Sequence, residues 1–128
     1  MPRYDKYEPY GGGFRASLAA AILDANKFVA YGVGLDTSGR VVLGAGNTGI
    51  LGVLIAHEAK AAGDFVDVMI DGEIVDATGL TAGTKLTANT TTGAISNAAT
   101  SSTQVPVGFT VEATRIHVAI AVSATPAA

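Results

Sequence analysis

Arg115-Ile116-His117-Val118-Ala119-Ile120-Ala121-Val122 alternates without a break. Ile116, Val118, Ile120 and Val122 fall on one side and Arg115, His117, Ala119 and Ala121 on the other. A period of two over eight positions describes a strand with one face in a core. Reading outward from it, the chain divides into short apolar runs separated by turn residues, the pattern of an all-β domain. Runs fall at residues 28–35, 40–43, 50–56, 65–70, 73–76, 84–88, 94–96 and 105–111. Asp36-Thr37-Ser38-Gly39, Lys60-Ala61-Ala62-Gly63-Asp64, Gly79-Leu80-Thr81-Ala82-Gly83 and Thr90-Thr91-Thr92-Gly93 separate them. Asp71-Gly72, between two apolar runs, predicts a β-hairpin. Pro106 places the run at 105–111 at a sheet edge or delays its start. Residues 97–104 are polar and predict a surface loop. Strands at this spacing predict a small antiparallel β-barrel or sandwich.

The composition fits that architecture with a core of small residues. The chain has 128 residues, a single domain's length. Ala, Gly, Thr and Ser fill 59 positions, while Val, Ile, Leu and Phe fill 33. The absence of Cys excludes a disulfide framework, a thiolate zinc site and a thiol nucleophile. A net charge of −3 with only eight Lys and Arg argues against a nucleic-acid partner, which calls for a basic stripe. No apolar run reaches the length of a membrane-spanning helix, so no membrane partner is expected. The first residues contain no apolar signal-peptide core, and synthesis in a cytoplasm is expected.

The beginning of the chain differs from the rest. Tyr4, Tyr7, Tyr10 and Phe14 are half of the eight aromatic residues, and Pro2, Pro9 and Gly11-Gly12-Gly13 surround them. Those prolines and glycines predict an extended arm over residues 1–26, with a short helix at 17–26 capped by Ser17 and ended by Asn26. The β domain then covers residues 27–122 and a frayed tail 123–128. Aromatic side chains outside any strand pattern are interface material.

Candidate chemistry does not assemble. Gly44-Ala45-Gly46-Asn47-Thr48-Gly49 matches a dinucleotide fingerprint in its letters. However, Ile50-Leu51-Gly52-Val53-Leu54-Ile55 follows, which predicts a strand where the pyrophosphate needs a helix N-terminus. Six acids lie between residues 58 and 76: Glu58, Asp64, Asp67, Asp71, Glu73 and Asp76. Asp67 and Asp71 would share a face of a regular strand. A calcium loop begun at Asp67 fails, with Met69 at its third position and Thr78 at its twelfth. These acids therefore read as surface charge. His57 and His117 lack any metal-ligand spacing and read as solvent-facing or hydrogen-bonded. No G-x-S-x-G elbow is present. No catalytic, cofactor or metal residues are assigned, and an enzyme is not expected.

From residue 27 to 122 the sequence resembles the small capsid decoration, or cement, proteins of tailed bacteriophages. The likeness lies in an ordered set of segments. They are Tyr31-Gly32-Val33 with Val42-Leu43-Gly44, Gly49-Ile50-Leu51-Gly52-Val53, and Ala62-Gly63-Asp64-Phe65-Val66-Asp67-Val68 with Asp71-Gly72-Glu73. Gly79-Leu80-Thr81-Ala82-Gly83-Thr84, Val107-Gly108-Phe109 and Arg115-Ile116-His117-Val118 complete the set. The tyrosine-rich arm with Gly11-Gly12-Gly13-Phe14-Arg15 resembles versions carried by phages of actinobacteria. The resemblance implies a β-rich body without catalysis or cofactor. It would bind the major capsid protein on the outside of the virion, as a homotrimer. On this reading Arg3, Tyr4, Lys6, Tyr7, Tyr10, Phe14 and Arg15 are the candidate capsid-binding residues. The competing class is a carbohydrate- or ligand-binding β module acting as a host-surface adhesin, with exposed aromatics stacking on sugars. A flexible arm suits it poorly, because such sites are preformed pockets.

Overall fold

The computed structural model describes residues 12–120. The fold is all-β, with ten strands in two five-stranded sheets and a single 3-10 turn at Asp24–Asn26. In sequence order the strands are β1 Gly13–Ser17, β2 Ala30–Leu35, β3 Val41–Gly46, β4 Gly52–Ile55 and β5 Phe65–Met69. They continue with β6 Asp71–Ile74, β7 Lys85–Asn89, β8 Ile95–Ser96, β9 Gln104–Glu112 and β10 Arg115–Ala119. Sheet one runs β1-β5-β4-β2-β3 and sheet two β6-β10-β9-β7-β8. All pairings are antiparallel except β2 with β3. A regular parallel pair needs a long crossover, and these strands are joined only by residues 36–40. Their register accordingly shifts on both sides of Gly34.

The middle strands of sheet one, β4 and β2, are buried on both faces. Val53 on β4 points to a core shared with sheet two, where Ile74, Leu86, Val107, Ile116 and Val118 meet it. Its neighbour Leu54 points the other way, into a second cluster with Leu18, Val33, Val41, Val66 and Val68. That cluster lies inside the curl of sheet one, whose ends approach where Leu18 bridges Val41. The alternation of the last strand is as the sequence reads: Ile116 and Val118 are fully buried, Arg115 and His117 half-buried. Ile120 packs partly against the shared core, and Val122 lies outside the described residues.

The two sheets are fastened at a seam of small residues. Gly32 on β2 donates its N–H to the Gly93 carbonyl at 2.8 Å, and Ala45 on β3 donates to Thr90 at 2.8 Å. A Cβ on Gly32 would stand 2.4 Å from the Cβ of Ala88 on β7, and one on Gly93 2.4 Å from the Gly32 oxygen. Backbone bonds across this seam require side chains no larger than Ala, which is where the Gly- and Ala-rich composition is used.

Five local expectations are corrected. Residues 17–26 do not form a helix. Leu18 and Ile22 are both buried, and backbone bonds from Leu18 to Asp64, Ala19 to Val41 and Ile22 to Lys60 hold the segment extended. Ten residues are a marginal helix, and tertiary pairing overrides their propensity. Residues 13–17, read from sequence as part of the arm, are paired along their whole length with β5, from Gly13 opposite Met69 to Ser17 opposite Phe65. Asp71-Gly72 is not a hairpin turn: it lies within β6, and the chain passes there from sheet one to sheet two. Asp67 and Asp71 consequently belong to different sheets and share no face. Pro106 sits in β9, an interior strand, opposite Thr87. A register shift between Leu86 and Thr87 accommodates the missing donor.

Gly32→Ala is expected to lower stability by about 1–3 kcal/mol through overpacking. Ala88→Gly added to it should recover part of the loss, as read by urea unfolding; a neutral Gly32→Ala would remove the seam as a constraint. Asp36, in the turn between β2 and β3, accepts the N–H of Ser38 at 2.8 Å and of Arg40 at 3.0 Å. The Arg40 N–H is the main cause holding its carboxyl below the usual carboxylate range. A lowered folded pKa stabilises the fold above the unfolded value, about 3.9, and that contribution disappears as the pH falls through the folded value. The stability gap between the native protein and Asp36→Ala should therefore be constant at neutral pH and narrow below about pH 4 in thermal melts.

Candidate functional site

β1 carries two of the candidate capsid-binding residues, and its alternation sends them to opposite sides. Phe14 packs with Ala16 partly against the cluster inside sheet one. Arg15 points outward opposite Asp67, with 3.8 Å between their charged groups. Arg3, Tyr4, Lys6, Tyr7 and Tyr10 lie outside the described residues.

Phe14 and Arg15 both line a groove of about 720 Å³ where the sheets diverge. One wall is β1, β5 and the end of β4; the other is β6 and the residues after it. Phe65 on β5 is 59% exposed and Val75, just past β6, 65% exposed. Sequence reasoning placed Phe65 in a strand without recognising its face. The signal was in the alternation: burying Val66 and Val68 turns Phe65, Asp67 and Met69 to the other side.

Four of the six acids of residues 58–76, all but Asp64 and Asp71, lie along this groove, and they are not gathered at one point. Asp67 faces Arg15, Glu58 lies 3.4 Å from Lys60, Glu73 lies 3.7 Å from Arg115, and Asp76 is hydrogen-bonded to His57. Asp64 accepts the Ala61 N–H at 2.8 Å and closes a turn. Among the described residues no three His, Asp or Glu side chains converge on a metal position. His57 also meets the Phe28 ring edge-on, with centroids 5.5 Å apart, so the hydrogen-bonded reading of this histidine holds. Phe28 has φ +62°, unusual for a residue with a side chain. Its N–H donates to Ala56 and its carbonyl accepts from Thr78, which ties both sheets to this point. His117 lies on the outer face of sheet two, stacked on Phe109 with centroids 5.0 Å apart.

The glycine motif is structural. Gly44 and Gly46 lie within β3, and Thr48 accepts the Leu35 N–H at 3.1 Å while donating to the Gly49 carbonyl at 2.9 Å. Strand β4 follows Gly49, so no helix N-terminus faces the motif. What this side of the molecule offers is an apolar trough with charged margins, suited to holding a polypeptide.

Comparison with solved structures places this architecture. A chain titled "Mycobacterium phage Patience" superimposes with a TM-score of 0.72 at 21% identity, covering 98% of this chain and 97% of that one. The fold is that of a mycobacteriophage protein. No family model matches the sequence, and no curated protein does.

The His57–Asp76 bond is expected to add little to stability, because both side chains are largely open to water. A double-mutant cycle with His57→Ala and Asp76→Ala should give a coupling of about 1 kcal/mol or less at pH 7. A coupling several times larger would make the pair a principal fastener of the two sheets.

Proposed function

We propose that this chain is a non-enzymatic capsid decoration protein of a tailed phage. It binds the outer surface of the expanded shell and bridges neighbouring copies of the major capsid protein. The observation carrying this reading is the end-to-end likeness of fold to a phage protein. The ordered resemblance of residues 27–122 to cement proteins agrees with it. A ligand that binds only the expanded shell stabilises that state by mass action. Repetition over many identical sites lets modest individual affinities hold the particle, and the expected homotrimer multiplies the contacts of each unit.

The anchoring residues in this reading are Arg3, Tyr4, Lys6, Tyr7 and Tyr10 together with Phe14 and Arg15. Tyrosines supply large contact area with few rotatable bonds to freeze. Because β1 begins at Gly13, a truncation that tests the arm must stop before it.

Deletion of residues 2–11 should leave a cooperatively folding β body that cosediments with purified expanded capsids at least ten-fold more weakly than the full chain. Equal cosedimentation would remove residues 2–11 as the anchor, and no cosedimentation of the full chain would remove the cement reading itself.

A further inference from the structure

We propose that the groove between β1–β5 and β6 is a second capsid-binding surface, taking an extended segment of the shell subunit that carries apolar and basic side chains. This rests on the cement reading and extends it from the arm to the folded body.

Three observations converge on that occupant. The first is the apolar surface left uncovered in the groove. Phe65 and Val75 stand exposed on opposite walls, with Ile55 and Met69 between them. Large apolar side chains exposed within one trough mark a binding surface more than scattered exposed residues do. The second is charge. Glu58, Asp67 and Asp76 line the groove beside Arg15 and Lys60, while the Glu73 carboxylate turns outward to Arg115. The Arg15–Asp67 pair is loose: the charged groups stand 3.8 Å apart, and their side chains are 64% and 80% exposed. Such pairs contribute little and exchange readily for an incoming cation. The third is continuity. Phe14 and Arg15, candidate capsid contacts by sequence, form part of the same wall.

The shape selects an extended segment. One wall runs along the five residues of β5, which at about 3.3 Å per residue accommodates roughly five residues of strand-like chain. Alternate side chains of such a segment would meet Phe65 and Val75 on the inside and the acids at the margin. Apolar contact supplies the affinity, and the acids favour a basic partner and speed encounter.

Full-length Phe65→Ser and Val75→Ser are the test, because exposed positions tolerate polar residues and thermal melts verify the fold. Leu23→Ser, equally exposed but outside the groove, is the control. Cosedimentation with expanded capsids should weaken at least ten-fold for each groove variant and remain unchanged for Leu23→Ser. Asp67→Asn with Glu58→Gln should also weaken binding and reduce its salt dependence. Groove variants that bind as tightly as the native chain overturn the proposal while leaving the cement reading in place. Failure of the native chain to bind overturns both. If the groove variants instead lose only self-association in sedimentation velocity, with capsid binding intact, the occupant is a second copy and the proposal is wrong.

Discussion

The hydrogen bonds that join sheet one to sheet two at Gly32 and Gly93 set the geometry of the whole domain. Sheets whose faces carry ordinary side chains pack about 10 Å apart and do not exchange backbone bonds face to face. Here Gly32 lies against Ala88, and the carbonyls of Thr90 and Gly93 accept backbone N–H groups from β3 and β2. Nothing larger than a methyl group fits between them. The shared core continues from the seam through Val53, Ile74 and Ile116, and the groove is lined by β1, β5 and residues 73–76.

The curl of sheet one follows from the same economy of size. Val33, Leu54, Val66 and Val68 need cover on the face turned away from sheet two. Among the described residues no helix supplies it. Leu18 and Ile22 do, on an extended segment whose backbone pairs with Asp64, Val41 and Lys60. This continuation of β1 holds the strand in place, so Arg15 is presented from a fixed wall while Phe14 packs inward. A binding residue on a strand keeps its position better than one on a loop, and it loses less freedom when a partner arrives.

Much of this was legible in the residues. The alternation at Arg115–Ala119, the turn at Asp36–Arg40 and the strand after Gly49 all follow from patterns within eight residues. What was not legible depended on partners far away in the chain. Asp71-Gly72 has the chemistry of a hairpin, but turn chemistry does not reveal that the flanking strands pair elsewhere, with β1 and β10. Ala19, Ala20 and Ala21 favour a helix that Val41 and Lys60 forbid. Pro106 signals an edge, and only the bulge beside it in β9, where Val107 has no partner on β7, admits it to the interior. The candidate site divides in the same way. Arg15 was found from its place beside the aromatic arm, whereas Phe65 and Val75 emerged only once the sheets were seen to part.

The account ties a tight seam at one end of the domain to a binding mouth at the other. Amide hydrogen exchange of the full chain, free and bound to expanded capsids, tests that link most directly. Binding should slow exchange at Gly13–Ser17, Phe65–Met69 and Asp71–Ile74, and leave Ala88–Gly93 at the seam unchanged. Protection confined to the seam and the loop at residues 97–103, with the groove strands unaffected, would contradict it.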